Sequence, residues 1–122
     1  MSRTSDITDG LSTTVAVVEM TGRPVRWNDG QTTSAQCPGG PWAEAWNEGR
    51  LDGATSDGQT RIGPCAINCT NAFEVYSFHR AGANILFADG SVHFLQAKMQ
   101  VRVYARLLTR AGGEVVSASD YE

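Results

Sequence analysis

The chain has 122 residues, a length that fits one domain with a modest core. Hydrophobic content of 41% is ordinary for a globular protein, and a net charge of −3 excludes a global drive toward nucleic acid. No apolar run approaches the ~20 residues of a membrane span, and no signal-like stretch opens the sequence.

Residues 1–12 are polar. Asp6-Ile7-Thr8-Asp9-Gly10 reads as one helical turn, with Asp6 capping its N–H groups and Gly10 ending it. Residues 13–19 are β-branched and nearly continuous in apolar side chains, which predicts a strand buried on both faces. Gly22-Arg23-Pro24 is a turn, and residues 25–27 form a short strand. Residues 28–72 hold seven glycines and three prolines, and no period lasts there. A loop of that length in a compact domain points to function. One short helix interrupts it: Pro41 suits the first helical position, Gly49 ends the helix, and Trp42 and Trp46 stack at i, i+4.

Residues 73–78 alternate well enough for a strand. Asp89-Gly90 is the strongest short-range hairpin signal, because a two-residue turn needs positive φ at both positions. Such a turn sets Phe87 opposite Val92 and Ile85 opposite Phe94, so these four side chains share one apolar core face. His93 falls on the less covered face. With residues 73–78 added, the hairpin becomes a three-stranded meander. A helix follows over residues 98–110, with Val103, Tyr104, Leu107, Leu108 and Ala111 as its apolar stripe. Gly112-Gly113 ends it, and residues 114–117 return as a short edge strand. The fold class is therefore α+β: one antiparallel sheet of four to six short strands, with one amphipathic helix packed on it and a long ordered loop, in one domain over residues 1–122.

Candidate sites follow from these placements. His79 and Asp89 invite an acid–base dyad, but a strand of six residues between them spans about 20 Å and separates them. The expected roles are structural: His79 fixes a corner through the backbone, and Asp89 with Gly90 makes the turn. No nucleophile elbow and no His-Glu-x-x-His appear, so no catalytic residue is assigned. Cys65-x-x-x-Cys69 reads as a local disulfide in an oxidising compartment, leaving Cys37 free. The competing reading, a metal pair, would need at least two further ligands from Cys37, His79 and His93. Lys98, Arg102, Arg106 and Arg110 recur at i+4 and form a basic ridge, either a solvated face or a docking ridge for an acidic neighbour. Trp42 and Trp46 either staple their helix to the core or offer a stacking surface for polysaccharide.

The stretch from Phe78 to Leu95, with His79, nine intervening residues and Asp89-Gly90, resembles the signature of a large prepilin-like bacterial family. That family is abundant in planctomycete-type bacteria and has no assigned activity. Gly63-Pro64-Cys65 to Asn71, Tyr76-Ser77-Phe78-His79 and Thr109-Arg110-Ala111-Gly112-Gly113 resemble its flanking blocks. Ile7-Thr8-Asp9-Gly10-Leu11-Ser12-Thr13-Thr14 with Glu19 resembles another. The resemblance implies a pilin-head-like fold and the C-terminal part of a protein whose N-terminal leader and apolar assembly helix are not in this sequence. It implies a non-enzymatic structural or interaction module in the cell envelope, periplasmic or extracellular. Its partners would be other pilin-like subunits or envelope proteins, with membrane contact only through that helix. The alternative is a carbohydrate-binding surface domain using Trp42 and Trp46. No cofactor is expected. Some pseudopilins carry a structural calcium in a C-terminal loop, which makes Asp52 and Asp57 the calcium candidates, although their spacing departs from an EF-hand.

Overall fold

The computed structural model describes residues 3–45, 47 and 50–121. Among these residues five strands and one α-helix follow in order: β1 (Val15–Val18), β2 (Val25–Asn28), β3 (Gln31–Gln36), β4 (Gly82–Phe87), β5 (Val92–Gln96) and α1 (Val101–Leu108). The sheets are antiparallel, one ordered β1-β4-β5 and the other β2-β3. The α+β class agrees with the sequence reading, but the strands divide between two sheets where one sheet of four to six was expected.

β4 is the central strand, and its apolar run packs inward. Ala83, Ile85 and Phe87 are buried with Leu95 of β5, Tyr104 and Leu107 of α1, and Ile67, Val75, Met99 and Tyr121. α1 is shorter than the predicted 98–110. Tyr104 and Leu107 are its buried pair, Val103 and Leu108 lie partly buried beside them, and Ala111 is exposed beyond its end.

The hairpin exists with a different register. Asn84 pairs with Phe94, Ile85 with His93 and Leu86 with Val92, one position away from the two-residue-turn expectation. Ala88-Asp89-Gly90 forms a three-residue loop, closed by Gly90 N–H to Phe87 O at 3.0 Å and Phe87 N–H to Ser91 O at 2.9 Å. Only Gly90 has positive φ there. The cause is Asp89, whose Oδ1 accepts the Ser91 N–H at 2.8 Å and holds its own backbone out of the left-handed region. A one-residue slip exchanges faces. Ile85 and Phe87 are buried as expected, but Val92 is 63% and Phe94 40% exposed, and His93 takes the inner face. The two-residue turn with positive φ at both positions occurs instead at Asp29-Gly30, between β2 and β3.

Other expectations are corrected. β1, not residues 73–78, is the third strand beside β4. β1 is an edge strand and Val17 is exposed, so it is not buried on both faces. Val75 and Tyr76 are buried but make only single parallel bridges, to Ile67 and Met20. Residues 114–117 form no strand, and residues 41–45 form turns rather than a helix. Near the start, the helical turn is Thr4–Asp6, where Asp6 Oδ2 caps the Arg3 N–H at 2.8 Å from inside the turn.

Candidate functional site

A groove of about 760 Å³ runs between the β2-β3 tip, the 65–69 loop, residues 76–81 and the turn after β5. Gly30, Cys69, Tyr76, Phe78, His79 and Lys98 lie along it. Cys65 and Cys69 are disulfide-bonded across a Cα separation of 6.3 Å, and Cys37 is a buried free thiol. The loop closed by the disulfide carries Asn68 at φ 66°. The Asn68 side chain donates to His79 O at 2.7 Å and Gly82 O at 3.1 Å, and accepts the Ser77 N–H at 2.8 Å. Ser77 Oγ donates to Gly82 O at 2.6 Å and accepts the His79 N–H at 3.0 Å. These bonds satisfy the Ser77 and His79 backbone groups, which lie outside the sheets, and tie them to Gly82 at the start of β4.

The His79 ring is more than half exposed. Its Nε2 lies 3.7 Å from Glu19 Oε1 and its centroid 6.2 Å from that of Phe94. The ring therefore meets a carboxylate, while the His79 backbone carbonyl holds the corner. Glu19 Oε2 accepts the Asn84 N–H at 2.8 Å, extending the β1-β4 ladder by one side chain where β1 has ended.

At the far end of β4, Asp89 Oδ1 accepts from Ser91 Oγ at 2.6 Å, and Ser91 Oγ lies 3.0 Å from His93 Nε2. Hydrogen bonds from Ser91 lower the Asp89 pKa. His93 sits 4.7 Å from the Phe87 ring and 5.9 Å from that of Tyr121. The structure thus does not bring His79 and Asp89 together. In the Asp89-Ser91-His93 line the serine stands between acid and imidazole, the wrong order for an activated nucleophile.

A third node joins the ends of the chain. Asp9 accepts the Gly112 N–H at 2.7 Å, the Gly113 N–H at 2.8 Å and Thr109 Oγ1 at 3.1 Å. The two backbone bonds are the main cause of its lowered pKa. Arg110 O accepts the Thr8 and Asp9 N–H groups. The early acidic block and the Thr109–Gly113 block, far apart in sequence, are one structural unit.

Residues 2–102 match the family described as Protein of unknown function (DUF1559). The chain belongs to that family. No curated protein and no solved structure matches it. The blocks that the sequence reading singled out are the ones that meet in the nodes above: Asp9 with Gly112-Gly113, Glu19 with Asn84 and His79, and Asn68 with Ser77 and Gly82.

The remaining candidates are not assembled into one site. Arg102 and Arg106 lie exposed on α1, whereas Lys98 precedes the helix at the groove and Arg110 follows it. The four-residue ridge is therefore reduced to a helical pair. Trp42 is 94% exposed on a turn, and Trp46 lies outside the described residues. Asp52 pairs with Arg61, and Asp57 accepts from Thr55 Oγ1 and the Gln59 N–H. Among the described residues no group of three or more His, Cys, Asp or Glu side chains is placed to hold a metal ion, and no helix is long and apolar enough to cross a membrane.

The sequence reading missed two buried polar side chains. Asn71 accepts the Trp27 N–H at 2.8 Å and donates to Thr21 O and Val25 O, fastening β2 to the long loop. Glu74 is 2% exposed, and burial raises its pKa to about 7. The only signal for it was an acid inside the apolar run Phe73-Glu74-Val75-Tyr76.

Proposed function

We propose that this chain is the globular head of a pilin-like cell-envelope protein, a non-enzymatic module that acts by assembly and display. One observation carries the reading. Asp9, Glu19, Asn68 and Ser77, polar residues of the family blocks, are spent on backbone groups that tie distant segments together, including the two that line the groove. A catalytic family would be expected to leave reactive groups facing substrate space. The Cys65–Cys69 disulfide supports an oxidising, periplasmic or extracellular location.

The partners in this reading are other pilin-like subunits or envelope proteins, met without a cofactor. Arg102 and Arg106 supply an exposed basic pair for an acidic neighbour. Exposed charge contacts contribute under about 1 kcal/mol each and are screened by salt. The head alone should therefore self-associate weakly. Light scattering across protein concentration tests this: a monomer, or a dimer that dissociates as salt rises, is expected. Long filaments from this chain alone would show that the head carries a strong assembly interface that the reading does not contain.

A further inference from the structure

A second, smaller cavity of about 160 Å³ lies away from the groove, where the 53–61 loop closes over residues 70–74. Arg26, Arg61, Thr70, Phe73 and Glu74 line it. Glu74 Oε1 accepts the Asp52 N–H at 3.1 Å, and Oε2 is buried without a partner among the described residues. An ionised carboxylate oxygen left bare and out of water is far more costly than a neutral acid, so the group answers by keeping its proton. Oε2 then becomes a donor.

Of the other polar groups around the cavity, the two guanidinium groups are donors only, and Thr70 Oγ1 is spent on Asn28 Oδ1 and the Ala72 N–H. Arg26 spends two of its five N–H groups, on Asn28 Oδ1 at 3.2 Å and Gly58 O at 3.3 Å. Arg61 pairs with Asp52 and lies 4.9 Å from the Phe73 ring centroid, which fixes its guanidinium at the mouth. Arg50 lies over the same ring at 5.3 Å. The groups whose charges act on Glu74 are Asp52 and Arg61, and Glu74 in turn acts on Tyr104 of α1. With Glu74 neutral, Arg26, Arg50 and Arg61 are set against Asp52 and Asp57, which leaves one positive charge.

We propose that this cavity binds a small oxyanion, a carboxylate of a few heavy atoms, held by the guanidinium groups of Arg26 and Arg61 and by the protonated Glu74. A cation would meet two guanidinium groups, and a purely apolar ligand would leave Glu74 Oε2 and the unspent N–H groups of Arg26 unanswered. Planar carboxylates suit guanidinium forks in particular. The inference is independent of the envelope reading.

The test is a titration of the 122-residue chain with acetate, against sodium chloride at equal ionic strength, followed by backbone amide NMR at pH 6 and pH 8. Saturable shifts confined to residues 52–61 and 70–74 are expected. Because Glu74 must hold its proton and its pKa is about 7, affinity should fall about tenfold between the two pH values. Glu74→Gln keeps a donor and removes the titration, so its affinity should be the same at both. Arg61→Gln, at a side chain more than half exposed, should keep the folded spectrum and lose the saturable shifts. Acetate shifts that are diffuse, equal at both pH values and unchanged in Arg61→Gln would overturn the proposal.

Discussion

The carboxylate of Asp9 accepts the backbone N–H of Gly113 at 2.8 Å, across 104 positions of sequence. Gly113 has φ 73°, so the acceptor is matched to a backbone that bends away from the end of α1. The adjacent Gly112 N–H gives the same carboxylate a second bond, at 2.7 Å. Asp9→Ala should therefore lower the melting temperature and speed proteolysis within residues 109–121. Because the Asp9 pKa is lowered in the folded state, its contribution is present above the ordinary carboxylate range and is lost as pH falls through the folded value. The difference in melting temperature between the parent and Asp9→Ala should accordingly shrink in acid. A difference that grows as pH falls would contradict this role.

The hairpin register makes a sharp contrast between neighbouring strands. Phe87 is buried in the core and Val92 faces solvent. Phe87→Ala should cost about 3–5 kcal/mol, a large share of a small domain's stability. Val92→Thr should stay within about 0.5 kcal/mol. Urea unfolding of both variants checks this, and comparable losses would restore the two-residue-turn register.

Thiol counting should find no rapidly reactive thiol in the native chain and one after denaturation without reductant. Cys37 is buried, its pKa is raised by that burial, and its Sγ lies 3.7 Å from Pro24 O and from Asn71 Oδ1. The Cys65–Cys69 loop is short, so replacing both residues with serine should cost less than the ~3 kcal/mol of a 15-residue loop. Three thiols after denaturation would exclude the disulfide.

Glu74 sets a pH dependence of opposite sign to that of Asp9. Burial raises its folded-state pKa from 4.5 to about 7. Below 4.5 the acid is protonated in both states and stability is full. Stability falls as pH rises from 4.5 to 7, then levels off once both states are ionised. The shift corresponds to about 3 kcal/mol at most, and water at the cavity mouth screens it to roughly 1–2 kcal/mol. Glu74→Gln should therefore be more stable than the parent at pH 8 and should lack the decline between pH 4.5 and 7. Parallel profiles for the two proteins would contradict the assignment.

Much of the fold was legible because strong local signals carried it. The hairpin, the amphipathic helix ending before Gly112-Gly113 and the disulfide with its leftover Cys37 all came from spacing and residue type. The register did not, because the Asp-Gly dipeptides at 29–30 and 89–90 look alike in sequence. Asp89 Oδ1 accepts the Ser91 N–H, whereas Asp29 stands at φ 44°, and that separates them. β3 was illegible because Gln31–Gln36 is a polar run with no apolar alternation. Residues 73–78 read as a strand since they are alternately apolar, yet their backbone bonds go singly to separate segments, at Arg50, Asn68, Glu19 and Thr21, and the Asn68 side chain takes the Ser77 N–H. In the sites, single residues were visible but their partners were not. Nothing in the sequence tells that Glu19 reaches His79 or that Asp9 reaches Gly113.

The envelope-head reading is tested most directly by where the native protein resides in its own cells. Antibody raised against this chain would be used on cytoplasmic, envelope and sheared-surface fractions, with thiol trapping at lysis to record the state of Cys65 and Cys69. The account predicts antigen in the envelope or surface fraction, with that pair oxidised. Antigen confined to the cytoplasm with three reduced thiols would contradict it.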